Sequence, residues 1–419
     1  MTGSGISGSL IANELSRRSQ GFNKSVVMLE ARSLASGATG RNGGHIKPDC
    51  YKNFAAFQRR YGSEAAESLC RFELDNMKES VSFIEQQGLA GAVDLVETHS
   101  VDFFMTQKAW DDAQESLKLY AEAGGDLSEI KAFDKAEAEE KYRASGVFGA
   151  VTYPACSLWP YKLAVAVIQK AVDSGLQLFT HTPALEVTSA TERRWQVRTN
   201  RGIVLCDAVF HATNGYASHL LPELTRKVVP VKGNVVAIEP SKEFAARPLG
   251  HTAGIQWGED FDYMIQRPTD GKPLIYGGGD LHHHRRLLGP IGDADDSTTT
   301  PEIISALLQF PVKHFQQWGE TSNARYTWSG VMGFTADGFP LVGEVPGRPG
   351  QFISAGYTGH GMARAVLTIR ALMQQYFGEA VDSRVPQLYF DIANRLQNKD
   401  DEWENMLDEA YDTSLLAKL

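Results

Sequence analysis

The stretch from Gly3 to His45 contains the feature that most constrains the fold of this chain. Within it, Gly3, Gly5 and Gly8 form the pattern G-x-G-x-x-G. In such a pattern the first glycine permits a tight turn, the second lets the backbone approach a pyrophosphate, and the third lets a helix pack closely against a sheet. The pattern predicts a helix over 9–18 whose N-terminal N–H groups face the phosphates.

A continuous apolar run over 26–29 follows this helix and predicts a strand that is buried on both faces. The strand ends at Glu30, 22 residues after Gly8, where an acidic residue is expected to accept the ribose hydroxyls. Glycine is common in this chain, with 39 among 419 residues, so the glycines alone are weak evidence. The alternative, a glycine-rich surface turn, leaves Glu30 unexplained. The combination therefore predicts a dinucleotide site.

The start of the chain departs from this pattern, because only Met1 and Thr2 precede Gly3. In dinucleotide-binding folds the motif follows the first, central strand. Burying about five apolar residues of that strand, at ~2 kcal/mol each, would contribute on the order of 10 kcal/mol, comparable to the stability of a whole domain. We therefore expect the natural protein to begin further upstream, which sequencing the 5′ end of the transcript can check.

The composition narrows the class of protein. A net charge of −10 argues against non-specific binding to nucleic acid or to an anionic membrane, and no apolar run is long enough to predict a membrane span. The four cysteines form no C-x-x-C pair, which indicates a reduced intracellular compartment, incidental or buried thiols and no zinc site. The terminal residues Ala417, Lys418 and Leu419 are similar to the peroxisomal S-K-L signal, the alternative being an arbitrary helix end in a cytoplasmic protein.

Periodicity along the rest of the chain predicts an α/β protein with an α+β part. Residues 93–106 alternate loosely and predict a pair of strands, and 184–207 predict a meander of short strands. Residues 292–300 predict a polar loop, and 362–377 a helix after a Gly-rich turn. A βαβ start, a middle rich in strands and a βα end indicate a split cofactor domain with an inserted substrate domain.

Three motifs carry a family resemblance: RSLASGATGRNGGHI after Glu30, WSGVMGFTADGFPLVGE at 328–344 and ISAGYTGHGM at 353–362. They resemble the D-amino-acid oxidase-like FAD-dependent oxidoreductases, most of all amine oxidases of the gamma-glutamylputrescine oxidase type. The resemblance implies a Rossmann-like FAD-binding domain without its first strand and an inserted antiparallel-sheet substrate domain. It implies FAD-binding segments 1–90, 145–225 and 325–380, substrate-binding segments 91–144 and 226–324, and a C-terminal tail, 381–419.

The resemblance also implies which residues bind FAD. They are Gly3, Gly5, Ser7, Gly8, Glu30, Ala31, Arg32, Ser36, Thr39, Asn42, Gly43, Gly44, Val187, Thr213, Asn214, Gly330, Asp337, Gly356, Thr358, Gly359, His360, Gly361 and Met362. The helix that starts near Met362 would direct its N-terminal N–H groups at the flavin C2 carbonyl. Some relatives attach the flavin through a cysteine, and Met332 stands at the matching position. We therefore expect non-covalent FAD unless His45 serves as an attachment point.

The implied reaction is oxidation of a C–N bond in an amine or amino acid, in which the flavin takes a hydride and O2 then gives H2O2. The alternatives are a dehydrogenase with another electron acceptor and an inactive, truncated family member. Gamma-glutamyl polyamines, sarcosine-like secondary amines and D-amino acids all remain open as substrates. No metal is expected: His282, His283 and His284 invite a metal site, but consecutive histidines in a strand do not all face one point, and a solvated loop is favoured.

Candidates for the catalytic pocket are His45, Tyr263, Arg267, Trp328 and His360. Tyr263 would hydrogen-bond a substrate carboxylate, and Arg267 would pair with it bidentately or instead cap a surface strand. His45 is expected to order the flavin loop rather than to act as a base. For Trp328 we favour core packing over a role as a lid.

Overall fold

The computed structural model describes residues 1–19, 25–191, 194–258, 260–269 and 271–412. The helices are α1 Ile6–Ser19, α2 Ala38–Arg41, α3 Phe54–Tyr61, α4 Ser63–Gln86, α5 Gln107–Glu122, α6 Lys135–Tyr142, α7 Pro160–Asp173, α8 Lys242–Ala246, α9 Pro301–His314, α10 Gly361–Phe377, α11 Ile392–Gln397 and α12 Asp401–Tyr411. Short 3₁₀ helices cover Asn214–His219, Pro222–Leu224, Asp280–His282, Arg286–Leu288 and Gln387–Phe390.

The strands alternate with these helices along the chain. They are β1 Val27–Leu29, β2 His45–Ile46, β3 Val96–Phe104, β4 Lys131–Asp134, β5 Gly149–Ser157, β6 Gln177–Phe179, β7 Ala184–Thr191, β8 Arg194–Thr199, β9 Gly202–Cys206, β10 Val209–His211, β11 Val229–Glu239, β12 Thr252–Gln256, β13 Phe261–Gln266, β14 Leu274–Gly277, β15 Asn323–Phe334, β16 Leu341–Glu344 and β17 Gln351–Ala355.

The first sheet carries the glycine turn and is mostly parallel. β1 pairs with β6, and β10 pairs with β17, in both cases parallel, while β16 runs antiparallel to β17. Helices pack against this sheet as the sequence predicted, with Ile11 of α1, Phe72 of α4, Leu163 of α7 and Leu372 of α10 in one buried core with Phe210. The α/β class and the Rossmann-like arrangement are confirmed.

The central position of this sheet, between β1 and β10, is held by the first residues of the chain. Thr2 forms parallel bridges to Leu29 on one side and to His211 on the other. The amide of Gly3 donates to the Leu29 carbonyl at 2.9 Å, and the amide of Ala212 donates to the Thr2 carbonyl at 3.0 Å. The strand that the sequence lacks before the glycine turn is therefore replaced in part, because Met1–Gly3 form the backbone hydrogen bonds nearest to the turn.

A second, nine-stranded sheet forms the other half of the molecule. Its order is β15-β11-β14-β13-β12-β3-β5-β2, with β4 beside β5. The prediction of paired strands over 93–106 was wrong, because this segment is the single long strand β3. Its sequence alternates because one face of the strand packs on a core and the other faces the cavity. β5 and β15, which we assigned to the FAD-binding domain, pair in this sheet, and the domain boundaries remain a proposal.

Smaller features complete the fold. The predicted meander is confirmed as the antiparallel sheet β7-β8-β9, and the four cysteines are free, with Cys206 partly exposed and the other three buried. No helix within the described ranges has both the length and the apolar character that a membrane crossing requires. The terminal residues Ala417–Leu419 lie outside the described residues.

Candidate active site

A single large cavity of about 1350 Å³ is lined by residues of both sheets. One end is formed by the glycine turn, Glu30 and the start of α1, which we call the cofactor end. The other is formed by β3, β12 and β13 of the second sheet, which we call the substrate end. The cavity exceeds the 300–1,000 Å³ that is usual for a drug-sized ligand, so it can hold a dinucleotide together with a second molecule.

The glycine turn has the geometry that its sequence predicts. Gly3 has φ +93°, and a Cβ on Gly8 would lie 2.1 Å from the Gly3 carbonyl oxygen. Any larger residue at position 8 would push α1 away from the turn. A Cβ on Gly5 would lie 3.0 Å from Thr39 Oγ1, which itself accepts a hydrogen bond from the Ile6 amide at 2.8 Å. The start of α1 is therefore fixed against both the sheet and the loop over 36–44.

Glu30 is oriented by hydrogen bonds from the same turn. Its Oε2 accepts from the Ser4 amide at 3.0 Å and from Ser4 Oγ at 2.6 Å, and its Oε1 accepts from the Arg32 amide at 2.9 Å. Ser4 Oγ in turn accepts from the Ala35 amide at 2.8 Å. The carboxylate thus lies on the cavity wall in one orientation, with lone pairs left for ribose hydroxyls.

A roof loop, residues 292–300, closes over the cofactor end. Arg32 Nη1 lies 2.7 Å from Asp296 Oδ1, and Arg41 Nη1 donates to the backbone carbonyls of Asp296 at 2.8 Å and Ser329 at 2.7 Å. Asp296 is only 8% exposed. Sequence reasoning predicted this loop but missed its partners, because the contacts join residues more than 250 positions apart.

The turn that contains Gly356 and Thr358 closes the cofactor end, and it is held by Asn214 and by α10. Asn214 Oδ1 accepts from the Gly356 amide at 2.9 Å, and the amide of Thr358 donates to the Gly333 carbonyl at 2.8 Å. Asp337, which the resemblance placed near the flavin, lies on the cavity wall and pairs bidentately with Arg395. These bonds fix the turn that leads into α10.

The N-terminal turn of α10 is anchored by a buried ion pair. Arg364 Nε lies 2.6 Å from Glu73 Oε1 of α4, and both side chains are nearly inaccessible. Glu73 Oε2 also lies 3.4 Å from His360 Nδ1 and accepts from the Asp49 amide at 2.6 Å. Burial opposes the ionised form, but Arg364 and His360 outweigh it and lower the pKa of Glu73 to about 2. The positive end of α10 is thereby held at the cavity.

His45 and Tyr263 face each other across the middle of the cavity. Their ring centroids lie 5.4 Å apart in an edge-on arrangement. A Cβ on Gly43 would lie 3.0 Å from both His45 Nε2 and Tyr263 Cε2, so a larger residue there would crowd both rings. Both ring nitrogens of His45 are buried without a partner, and burial, with Lys47 and Arg267, lowers its pKa to about 3. His45 is therefore a neutral group with unused hydrogen-bonding capacity.

The inner face of the second sheet adds a polar wall that sequence reasoning missed. Lys47 Nζ lies 2.6 Å from Asp102 Oδ1, and the hydroxyls of Tyr153 and Tyr51 donate to the same carboxylate at 3.0 and 3.3 Å. Gln256 is 7% exposed, and its Nε2 is buried without a partner. No local motif marks these residues, since the pairing of β3 with β12 brings them together.

An acidic corner, defined as Asp260, Asp262 and Asp280, lies at the far edge of the substrate end. Asp260 and Asp280 line the cavity, and Oδ1 of Asp280 is buried without a partner. Asp262 lies behind them and accepts from Trp257 Nε1 at 2.9 Å. Burial and the neighbouring carboxylates raise the pKa of Asp280 to about 8 and that of Asp260 to about 6.

Most residues that the sequence placed at a site line this one cavity. They are His45, Tyr263, His360, Gly3, Gly5, Ser7, Glu30, Ala31, Arg32, Thr39, Asn42, Gly43, Thr213, Asn214, Gly330, Asp337, Thr358, Gly359, Gly361 and Met362. Five predicted cofactor residues lie behind its wall, namely Gly8, Ser36, Gly44, Val187 and Gly356. Gly8 and Gly44 act there through close packing, since a Cβ on Gly44 would lie 2.1 Å from the Leu158 carbonyl oxygen.

Arg267 and Trp328 are not brought to the cavity. Arg267 Nη2 pairs with Asp94 at 3.2 Å, its Nη1 donates to the Leu158 carbonyl at 3.1 Å, and its guanidinium stacks over Trp159. These contacts hold the guanidinium outside the residues that line the cavity, and its pairing with a substrate carboxylate stays a prediction. Trp328 Nε1 donates to the Arg41 carbonyl at 2.7 Å, which supports the loop over 36–44.

The consecutive histidines meet more closely than expected. His283 and His284 stack at 4.2 Å, and their ring nitrogens and a Glu302 oxygen lie within 4.8 Å of one another. His282 is not part of this group, so the three histidines do not all face one point, although two of them converge with Glu302. The group is largely exposed, and His284 Nδ1 lies 3.2 Å from Glu302 Oε1.

The residues of the cofactor end fit FAD. The glycine turn excludes side chains where a pyrophosphate would approach, Glu30 presents a fixed carboxylate, and Thr213 Oγ1 is a buried hydroxyl without a partner on the same wall. The N-terminal ends of α1 and α10 both reach the cavity, where their partial positive charge suits phosphates and a reduced flavin.

Comparison with known proteins agrees with this fit. A model of the FAD dependent oxidoreductase (DAO) family matches residues 2–375. The probable oxidoreductase OrdL of Haemophilus influenzae is 21% identical, over 90% of this chain and 82% of that protein. The gamma-glutamylputrescine oxidoreductase of Escherichia coli is 23% identical, over 91% and 83%.

A solved structure gives the same answer for the fold. The crystal structure of glycine oxidase from Geobacillus kaustophilus superposes with a TM-score of 0.75 at 21% identity, covering 95% of this chain and 97% of that one. The family match spans nearly all of the chain that builds the cavity. The chain belongs to the DAO family of FAD-dependent oxidoreductases, and its cofactor is FAD.

Proposed function

We propose that this enzyme oxidises the C–N bond of an amine or amino acid by hydride removal from the carbon next to nitrogen, with O2 as the final acceptor and H2O2 as a product. The observation that supports this best is the continuity of the cavity from the glycine turn to the wall of His45 and Tyr263. Bound FAD would supply the hydride acceptor there.

The residues around the substrate would bind and orient rather than transfer protons. His45 is neutral, so it can exchange a hydrogen bond with an uncharged amine. Burial raises the pKa of Tyr263, so its hydroxyl stays protonated and can donate. The N-terminus of α10, held by Glu73 and Arg364, would stabilise negative charge at the cofactor. Met332 supports non-covalent attachment, because a thioether cannot replace a cysteine thiolate.

The test is purified holoprotein mixed with a panel of amines and amino acids, first without and then with air. We expect the flavin absorbance to bleach with the substrate and to recover in air, with one peroxide formed per amine oxidised. The name of glycine oxidase among the solved structures supports an oxidase. Bleaching that recovers only with an added carrier would establish the dehydrogenase instead, and a protein that binds no flavin would favour the inactive alternative.

Peroxisomal delivery through Ala417, Lys418 and Leu419 stays a prediction. These residues lie outside the described part of the chain, and the two relatives compared by sequence are bacterial, so they lend it no support. Import of a fluorescent protein that carries the last residues of this chain would test the signal directly.

A further inference from the structure

We propose that the acidic corner binds a second ammonium group of the substrate, so that the enzyme prefers diamines, or amines with a distal cation, to simple amines. The inference rests on the proposed function and adds the substrate class. It starts from Asp260 and Asp280, two carboxylates that line the cavity beside Tyr263.

The corner has no cation of its own among the described contacts. Within the described ranges Asp260, Asp262 and Asp280 form no ion pair, whereas Lys47 on the adjacent wall is matched by Asp102 at 2.6 Å. Lys52, the other cation of this wall, lies 4.9 Å from the Phe261 ring centroid. Carboxylates gathered without a counter-charge disfavour one another's ionised forms, and a bound ammonium would relieve that cost.

Unused hydrogen-bonding atoms also point into the same end of the cavity. Asp280 Oδ1 and Gln256 Nε2 are both buried without a partner, and Gln256 is 7% exposed. Asp280 Oδ1 belongs to the corner itself, whereas Gln256 Nε2 lies on the adjacent wall, where a Cβ on Gly254 would lie 3.1 Å from it and 2.4 Å from Asp102 Oδ1. Buried polar atoms are nearly always satisfied in folded proteins, so their presence beside a cavity indicates a ligand that satisfies them. Rotating the Gln256 side-chain amide by 180° would present its oxygen to a ligand in place of Nε2.

The geometry favours an organic cation over a metal ion. Among the described residues, the cluster of histidine, cysteine or acidic side chains whose ligand atoms converge closely enough for a metal is His283, His284 and Glu302, outside this corner. A small metal ion needs converging oxygens, whereas an ammonium on an alkyl chain can reach separate carboxylates.

The cation held here must be one that is not oxidised. A hydride leaves the carbon beside an uncharged nitrogen more readily than beside an ammonium, and a neighbouring carboxylate would hold the reacting amine in its charged form. Tyr263 lies between the two positions, since its ring lies beside Gly43 and, after burial, Asp280 is the group that most raises the pKa of its hydroxyl. The reacting amine therefore belongs at His45 and the distal one at Asp280.

The first test compares 1,4-diaminobutane with pentylamine, which has the same number of heavy atoms and one ammonium fewer. Flavin reduction by each is followed without oxygen in the wild type, Asp280→Asn and Asp260→Asn, with exposed Asp111→Asn as the matched control. We expect the wild type to favour the diamine by about tenfold to 100-fold in the ratio of the flavin-reduction rate constant to Kd, the size of one charge-assisted contact. In either corner variant this preference should fall toward one, and in Asp111→Asn it should not change.

The second test measures binding without turnover, by calorimetry on holoenzyme that has first been reduced with dithionite. The diamine should bind more tightly than pentylamine, and Asp280→Asn should remove the difference. If neither amine reduces the flavin in the first test, the proposed function fails while this measurement still decides the corner. Equal binding of the two amines would overturn the inference. An equal loss of flavin reduction with both amines in Asp280→Asn would also overturn the inference, because it would assign Asp280 to proton transfer.

Discussion

The two ends of the cavity differ in how their ionisable groups are held. At the cofactor end, the carboxylates of Glu30 and Asp337 are held by protein donors, and the atoms left without a partner include Thr213 Oγ1 and Asp296 Oδ2. At the substrate end, the unpartnered atoms include both ring nitrogens of His45, Gln256 Nε2 and Asp280 Oδ1. The difference teaches that the fold orders the carboxylates that would face the cofactor, whereas His45 and Asp280 are left to be completed by the molecule that enters. Such unsatisfied groups lower stability and mark function.

The largest loss of stability is expected from breaking the ion pair that supports the cofactor end. Arg364→Leu leaves the Glu73 carboxylate buried without its cation and should lower the free energy of unfolding by about 3–5 kcal/mol. The control is Arg370→Leu, because Arg370 pairs with Glu79 at the surface and should contribute at most about 1 kcal/mol. Urea unfolding of both variants at one fixed FAD concentration gives the comparison. Equal effects would show that the pair is not what holds α10.

An intermediate effect is expected from crowding the glycine turn. Gly8→Ala places a Cβ 2.1 Å from the Gly3 carbonyl oxygen, so α1 must shift, at a cost of about 1–3 kcal/mol and with loss of bound flavin. Gly91→Ala meets nothing within 4 Å and serves as the control. Flavin absorbance per purified chain measures retention. A Gly8→Ala protein with full flavin content would contradict the role given to the turn.

The smallest expected change in the free energy of unfolding comes from the substrate end, and it should be stabilising rather than destabilising. Gln256→Met removes the unpaired amide while keeping the side-chain length, so the apoprotein should be as stable as the wild type or more stable by about 1 kcal/mol. The contrasting variant is Asn76→Leu, whose lost acceptor for the Leu367 amide should cost about 1–3 kcal/mol. Thermal unfolding of apoproteins measures both. If Gln256→Met were destabilised as much as Asn76→Leu, the difference drawn between the cofactor end and the substrate end would be contradicted.

The sequence predicts the cofactor end well because its signals are local. The glycine spacing, the strand before Glu30 and the Gly-rich turn before α10 each lie within a short stretch, and backbone sterics determine their conformation. Such signals also located the meander β7-β8-β9.

The substrate end could not be predicted in the same way. Asp102 and Gln256 meet because β3 pairs with β12, and Asp280 joins them through the turn after β14. No spacing rule encodes those registers. The contact of Arg267 with Asp94 was missed for the same reason, because the two residues are 173 positions apart.

The position of Thr2 has a consequence for the whole fold. Thr2 bridges Leu29 of β1 and His211 of β10, so it lies where the two parallel pairs of the first sheet meet. A cofactor bound along the cavity lining would contact Glu30 on one side of this bridge and Thr213 on the other. A ligand bound only by the native state adds about 2.7 kcal/mol at a concentration 100 times its Kd. We therefore expect bound flavin to protect the folded chain against unfolding as well as to supply its chemistry.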